Sequence, residues 1–346
     1  MNYFIPDFKV TGIGFNALNK SRDDLHKIYL SMGFKPLLDG VLTLNDSAKI
    51  RNASKNGDSL DGYVDKMVQA IDSKAKHGDH LFMDFPFAIK FAGFSKIVSY
   101  AVSQGVKVVF FIHDLDGVRF QNPLLNVIDS SALDMASCLI SATPEMDVCL
   151  SENLKVSPNV RRVNYMYWDY LCPDYENNNR HGLLCFAGNL TKSPFIRKIP
   201  QVLVDQGVNL YGKGMQADYK GTFKGQFDPE SLVKVLDGWF GLVWDGKSPN
   251  TCSGNFGKYL RINTSHKFGL YMATGKPVIV WRDSALSNFV VQNRLGIAVS
   301  SLFEIPQALS SLPTSAYSVM LKNVQEIRKK VISGDHLKSV ILESMK

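Results

Sequence analysis

Three absences narrow what this chain can be. Its five cysteines (Cys138, Cys149, Cys172, Cys185 and Cys252) form no C-x-x-C pair, and its seven histidines form no H-x-H or H-x-x-x-H spacing. No structural metal is expected, and thiols scattered through a chain of this size read as reduced cytosolic cysteines rather than a disulfide framework. No apolar run approaches the roughly 18 residues that span a bilayer. The opening ten residues, interrupted by Pro6 and Asp7, lack a signal-peptide core, so a cytoplasmic protein is expected, peripheral to the inner membrane at most. Basic residues interleaved with aromatics are missing too, as is any named nucleic-acid motif, and no nucleic-acid partner is expected.

What is present is an ordinary globular composition, long enough for two domains: of 346 residues, 45% are apolar and 21% charged. The net charge is +7, with basic clusters at Arg161-Arg162, Lys192 to Lys198 and Arg328 to Lys330. That excess suits anionic phosphosugars or an acidic membrane face, and equally a basic surface with no specific role.

Short apolar strands alternate with amphipathic helices, the pattern of a parallel α/β protein. Strands are expected at 80–87, 107–112 and 138–142, and again at 183–187, 208–212, 240–244 and 277–281. Leu60, Tyr63, Val64, Met67, Val68 and Ile71 share one helix face, with Asp58 or Ser59 as the cap. A second helix is expected at 94–104, and the last thirty residues read as helical with a break near Gly334. The polar stretch WDYLCPDYENNNRHG (168–182) has the composition of a linker. The division expected is 1–170, a linker at 171–182, 183–330 and a terminal helix at 331–346. Two such domains make a cleft at the carboxyl ends of their strands, where ligands bind.

The densest chemistry lies between residues 240 and 281. The strand in FGLVWDG runs into the loop KSPNTCSGNFGKYLRINTS, too long and polar for a simple connector, holding Asp245, Thr251, Ser253, Asn255 and Lys258. A helix then starts at Ser265 and His266 and is stopped by Gly275-Lys276-Pro277. The first N–H groups of a helix are unpaired and attract anions. Lys267 adds a full positive charge in that turn, where a lone cation is unfavourable unless an anion sits beside it. The pattern reads as a nucleotide-sugar diphosphate site.

Other candidates follow strand ends. Gly188 and Asn189, with Lys192 in the next turn, allow close approach of a ligand and donation to a phosphate or ribose, although a plain β-turn explains the pair too. Tyr211 offers a ring for stacking on a base, or for packing. His113-Asp114-Leu115-Asp116 directly follows the strand KVVFFI, where a general base belongs. The base is among His113, Asp114 and Asp116, the residues do not choose, and either aspartate can instead cap the next helix. Gly12, Gly14 and Ala17 match the G-x-G-x-x-A dinucleotide fingerprint, with Asp39 at the spacing of a ribose-binding acid. The preceding FIPDFKVT makes a poor central strand, so Gly12, Gly14 and Asn16 are read as an acceptor-approach loop or a turn. A nicotinamide-dependent oxidoreductase is the rival reading.

These residues sit in motifs that resemble bacterial β-1,6-galactofuranosyltransferases of surface-polysaccharide clusters. More distantly, they resemble streptococcal glucosyltransferases that extend glycans on serine-rich adhesins. The carriers are FNALNKSRDDLHKIYLSMGFK (15–35), GDHLFMDFP, FFIHDLDGVR, CFAGNL, and FGLVWDG…TCSGNFGKYLRINTSHK…LYMATGKPVIVW. The resemblance implies a GT-B architecture, two Rossmann-like α/β domains facing across a cleft, with a UDP-sugar in the C-terminal domain and the acceptor in the N-terminal one. It implies no cofactor and no metal beside the UDP-sugar, the D-x-D of Asp114-Leu115-Asp116 falling in the acceptor half. By carry-over, Lys267 and the amides of Ser265 and His266 hold the diphosphate, Asn189 and Lys192 lie near the phosphates, and Asp245 lies near the transferred sugar. The partner implied is a lipid-linked saccharide. The phosphate helix has no glutamate, which favours inversion. The expected reaction is hexose transfer to a hydroxyl, with galactofuranose ahead of glucose. A catalytically silent nucleotide- or glycan-binding module is the third class, and the sequence leaves a homo-oligomer open.

Overall fold

In the computed structural model the described residues are 1–6, 9–10, 17–38, 43–44, 61–87 and 93–346. They divide into two compact units, Met1–Tyr165 with Leu337–Lys346, and Met166–His336.

The first unit is built on a parallel six-stranded sheet. Its strands are β1 (Asn2–Phe4), β2 (Lys35–Pro36), β3 (His80–Phe85), β4 (Lys107–Ile112), β5 (Cys138–Ser141) and β6 (Arg161–Asn164), in the order β2-β1-β3-β4-β5-β6. Lys9–Val10 and Thr43–Leu44 form a separate parallel pair. The apolar runs HLFMDF and KVVFFI are buried on both faces, as strands covered by helices on either side must be. Of FIPDFKVT, expected to make a poor central strand, only Phe4 joins the sheet: β1 stops there, before Pro6 removes a donor, and pairs with both β2 and β3. The helices that matter below are α1 (Ala17–Ser31), α2 (Asp61–Lys74), α3 (Gly93–Ser103) and α4 (Pro123–Leu133). In α2, Val64, Met67 and Ile71 are buried, three of the six positions placed on one face by their spacing. The cap expected at Asp58 or Ser59 lies outside the described residues.

The second unit repeats the plan with β7 (Leu184–Ala187), β8 (Val208–Tyr211), β9 (Thr222–Gly225), β10 (Phe240–Val243), β11 (Val278–Trp281) and β12 (Gly296–Val299). Their order, β9-β8-β7-β10-β11-β12, is the doubly wound order counted within the unit. Helix α5 (His266–Ala273) packs beside β10, and α6 (Ala316–Ser333) beside α5. Gly334, at φ 78°, ends α6, and α7 (Asp335–Ser344) returns the chain to the first unit, where Arg161 meets Glu343 at 2.9 Å.

The polar stretch expected as a linker belongs to the second unit, whose contacts begin at Met166. Its polar groups serve as packing partners. The Asn177 amide donates to the Val233 and Leu236 carbonyls at 2.7 and 2.9 Å, and buried Lys276 donates to the Asn179 carbonyl at 2.9 Å. Arg328 donates to the Tyr175 carbonyl at 2.7 Å. Composition alone reads such residues as solvated; here they satisfy the ends of strands and helices. Among the described residues no helix is long and apolar enough to cross a membrane.

Candidate active-site residues in each unit

In the second unit, glycines set how closely α5 approaches the sheet. A Cβ at Gly241 would lie 2.1 Å from the Tyr271 ring, and one at Gly269 would lie 2.5 Å from the Trp168 carbonyl oxygen. Tyr271 is therefore seated on β10, its hydroxyl donating to the Leu242 carbonyl at 3.2 Å and accepting from the Ala187 amide at 3.1 Å. The helix is thus fixed against the ends of both β7 and β10. Ser265 caps it, accepting from the Lys267 amide at 3.3 Å.

Lys267 then reaches back over the sheet. Its Nζ lies 2.9 and 3.1 Å from the Asp245 carboxylate oxygens and 5.4 Å from the centre of the Phe186 ring. A Cβ on Gly188 would stand 3.2 Å from the Lys267 Cε, so the glycine leaves the lysine its path. The two side chains keep 15% and 21% of their exposure, so the pair sits at the surface end of the sheet rather than inside it. The loop from Asp245 to Ser265 is itself folded. Gly246 (φ 109°) turns it so tightly that a Cβ would meet the Ser253 carbonyl oxygen at 2.3 Å. The Trp244 indole donates to the Ser248 carbonyl at 2.9 Å, and buried Cys252 has its thiol pKa pushed up, mainly by burial.

The remaining donor candidates fare differently. Asn189 accepts from the Thr191 amide at 3.1 Å and caps a short 3₁₀ turn, and the Lys192 ammonium lies 4.8 Å over the Phe256 ring. The His266 ring stacks on Trp168 at 4.8 Å, so its imidazole is part of the packing. Tyr211 requires a correction. It is 1% exposed, its hydroxyl donates to the Val235 carbonyl at 3.2 Å and accepts from the Asp237 amide at 2.9 Å, and it offers no face to a base. An aromatic at the last residue of a central strand packs into the core.

In the first unit, β3 and β4 end side by side, and Asp84 lies between two histidines. His113 Nε2 lies 3.0 Å from one carboxylate oxygen and His26 Nε2 2.8 Å from the other. Arg22 stands 3.7 Å from the carboxylate and donates to the Pro86 carbonyl at 2.6 Å. Burial alone would raise the Asp84 pKa, but the charges and hydrogen bonds of His113 and His26 outweigh it and hold the carboxyl below the usual range. His113 is pulled the other way: burial and then the Arg22 guanidinium lower it to about 4, against the pull of Asp84. His113 is therefore neutral near pH 7, bonded to a buried carboxylate and 4% exposed, a poor candidate for the base.

Asp114 is different. Burial, then the neighbouring Asp116 charge, raise its carboxyl to about 6, against the opposing Arg119. Arg119 reaches Asp114 at 2.7 Å with one nitrogen and Asp116 at 2.6 Å with another. Asp116 is the first residue of the single turn Asp116–Arg119, whose N-cap position falls to Leu115 with no side-chain cap bond, so the capping role anticipated for one of the aspartates is not what this turn uses. Asp84, His26 and Arg22 went unread in the sequence. The signal was there: an aspartate inside the apolar run HLFMDF, and an Arg and a His four residues apart on α1. Gly12, Gly14 and Asn16, and Asp39, lie outside the described residues. Among the described residues, no three His, Cys, Asp or Glu side chains are grouped to hold a metal ion.

Two Rossmann-like units in one chain, each with charged side chains at the carboxyl ends of its central strands, are the architecture of the GT-B glycosyltransferases. Solved structures agree on the fold. Anabaena HepE in complex with UDP and glucose superposes with a TM-score of 0.61 at 13% identity, over 100% of this chain and 99% of that one. Sucrose-phosphate synthase from Thermosynechococcus elongatus gives 0.60 at 14%, over 99% and 98%. The chain belongs to the glucosyltransferase 3-like family: the model of the family's N-terminal domain matches residues 3–160 and that of its C-terminal domain residues 184–344. It is similar to the β-1,6-galactofuranosyltransferase WbbI of Escherichia coli K12, 28% identical over 95% of this chain and 96% of that protein. It is also similar to glucosyltransferase 3 of Streptococcus parasanguinis, 25% identical over 82% and 83%.

Proposed function

We propose that the protein transfers a hexose from a UDP-sugar to a hydroxyl of a saccharide acceptor, with inversion at the anomeric carbon. The observation that carries this is the half-buried Lys267–Asp245 pair at the capped start of α5. An ammonium held at the carboxyl end of a parallel sheet, beside a helix start, is placed to meet a diphosphate. As the bond from the anomeric carbon to the diphosphate breaks, negative charge grows on the leaving oxygen, and Lys267 with the first amides of α5 stabilises it. Asp245, released as the lysine turns to the diphosphate, is left to accept hydrogen bonds from hydroxyls of the transferred sugar. Asp114, ionised above about pH 6, takes the proton of the attacking hydroxyl. The lysine supplies the charge that a divalent ion would otherwise bring, so turnover is expected to survive chelation by EDTA.

Galactofuranose is the first donor sugar to test, because the relative matched over nearly the whole chain is a galactofuranosyltransferase. Glucose is the second, on the strength of the streptococcal relative. Surface-polysaccharide synthesis on the inner membrane face is the proposed setting. A thermal-shift series with UDP, GDP, UDP-galactofuranose, UDP-glucose and NAD separates the readings. A ligand at about 100 times its Kd adds roughly 2.7 kcal/mol, which moves the midpoint by several degrees. Stabilisation by UDP and one UDP-sugar is expected; stabilisation by NAD alone would overturn the proposal.

A further inference from the structure

Helix α4 is built the wrong way round for a surface helix. Its buried side carries Asp129, Ala132 and Leu133, while Leu124, Val127 and Ile128 are 69%, 67% and 52% exposed. Phe120, one turn earlier, is 47% exposed. The exposed residues from Phe120 to Ser131 carry no charge at all. Helix α6 in the other unit shows the usual pattern, with Lys322, Glu326, Lys329 and Lys330 outward and Val324 and Val331 inward. Solvent would not select the α4 arrangement; an apolar environment would.

The geometry points to a lipid bilayer as that environment: we infer that the face of Phe120, Leu124, Val127 and Ile128 docks the protein on a membrane surface. Three features select this occupant. Four side chains offer at most a few hundred Å², short of the roughly 800 Å² that each partner of a stable dimer buries. The face carries no charge to select an ionic protein partner, whereas hydrocarbon requires none. The face is also continuous with the candidate base. The Arg119 guanidinium lies 4.9 Å over the Phe120 ring and pairs with both Asp114 and Asp116. Seating Phe120 at the lipid boundary therefore keeps the two carboxylates within one arginine side chain of that boundary, within reach of the hydroxyl of a saccharide carried on a lipid. That last step rests on the proposed transfer reaction; the docking itself does not.

Binding of this kind differs from attraction of a basic protein to acidic lipid, which salt screens. The test is co-sedimentation of the full chain with phosphatidylcholine vesicles, and with vesicles containing phosphatidylglycerol, at 0.1 and 0.5 M salt. Wild type is expected to sediment with both, with less than twofold loss at high salt. A Leu124→Ser, Val127→Ser, Ile128→Ser variant is expected to bind at least tenfold more weakly while keeping its UDP-induced thermal shift. A separate Leu124→Trp variant should show a blue-shifted emission on phosphatidylcholine vesicles, which keeps the inference testable if the triple variant misfolds. Wild type left in the supernatant, a triple variant that sediments as wild type does, or an unshifted emission from the Leu124→Trp variant would each overturn the docking. So would a concentration-dependent dimer abolished by the triple substitution, which would give the face to a second copy.

Discussion

Asp84 and Asp245 both stand at the carboxyl end of a central parallel strand, yet one is sealed and the other is not. Asp84 is 2% exposed, with His113 and His26 each on one oxygen and Arg22 alongside. Asp245 keeps a fifth of its side-chain exposure and has one flexible lysine as its ion-pair partner. A buried carboxylate whose oxygens are both bonded cannot exchange partners without a large desolvation cost, so it acts as architecture, tying α1 to the ends of β3 and β4. A pair at the exposed carboxyl end of the sheet can part and re-form, so it is available to a ligand. Depth separates a carboxylate locked into the packing from one that a ligand can reach.

The sharpest test of that division is Asp114, which neighbours the sealed network and yet stays partly exposed. Asp114→Asn is expected to lower kcat by about 10²–10⁴-fold, the range for loss of a general base, while Asp116→Asn lowers it far less. Equal losses in the two variants would make the pair, rather than Asp114, the proton acceptor. In wild type kcat/KM should rise with pH through about 6, the value to which burial and Asp116 bring Asp114.

Asp84→Ala tests the architectural side. It leaves Arg22, His26 and His113 buried around a missing carboxylate, a loss on the order of 3–5 kcal/mol of stability. Urea unfolding reads this directly. A variant as stable as wild type would show that the carboxylate is not the keystone of the network. Lys267→Ala should behave in the opposite way, losing roughly 2.7–4 kcal/mol of barrier lowering, as when one preorganised donor is deleted. Its effect on stability should stay within about 1 kcal/mol, because both side chains of the pair with Asp245 keep some contact with solvent. Single-turnover kinetics with saturating donor separates the two quantities, and full turnover in this variant would remove the diphosphate assignment.

The sequence was most legible where periodicity and end signals agree. The strands around 107–112 and 240–243, the helix start at Ser265 and the stop at Gly275 follow from apolar runs and turn residues. The strands at the sheets' margins, β6 and β12, were not read; RRVN carries one apolar residue and is only half buried, so it shows no apolar run. Asp84 was hidden for another reason. One acid in an apolar strand gives no hint of its partners, and His26 and Arg22 are brought to it only by the packing of α1. Tyr211 shows the converse, since a position at a strand's end that suggested ligand stacking is occupied by core packing with both hydroxyl valences used. Periodicity reports burial well; it says little about which polar groups meet inside.

The smallest expected effect is also the one that separates the two kinds of charge most cleanly. His113 has a folded pKa lowered to about 4, so below its ordinary value of about 6.5 the unfolded chain binds a proton that the folded chain refuses, and stability falls as pH drops across that window. Asp114 has the opposite sign. With its folded pKa raised to about 6, it is the folded state that takes the proton first, so its ionised form costs stability above pH 6 and the cost fades as pH falls towards 3.8. The two slopes oppose each other between about pH 4 and 6, and wild-type Tm should change little there. Asp114→Asn removes one slope and leaves the other. It should melt higher than wild type at pH 7.5, by a few degrees at most because Asp114 is partly exposed, and that advantage should shrink steadily at pH 5.5 and 4.5. A Tm difference independent of pH would mean that Asp114 titrates alike in the folded and unfolded chain, and the case for it as the base would lose its electrostatic support.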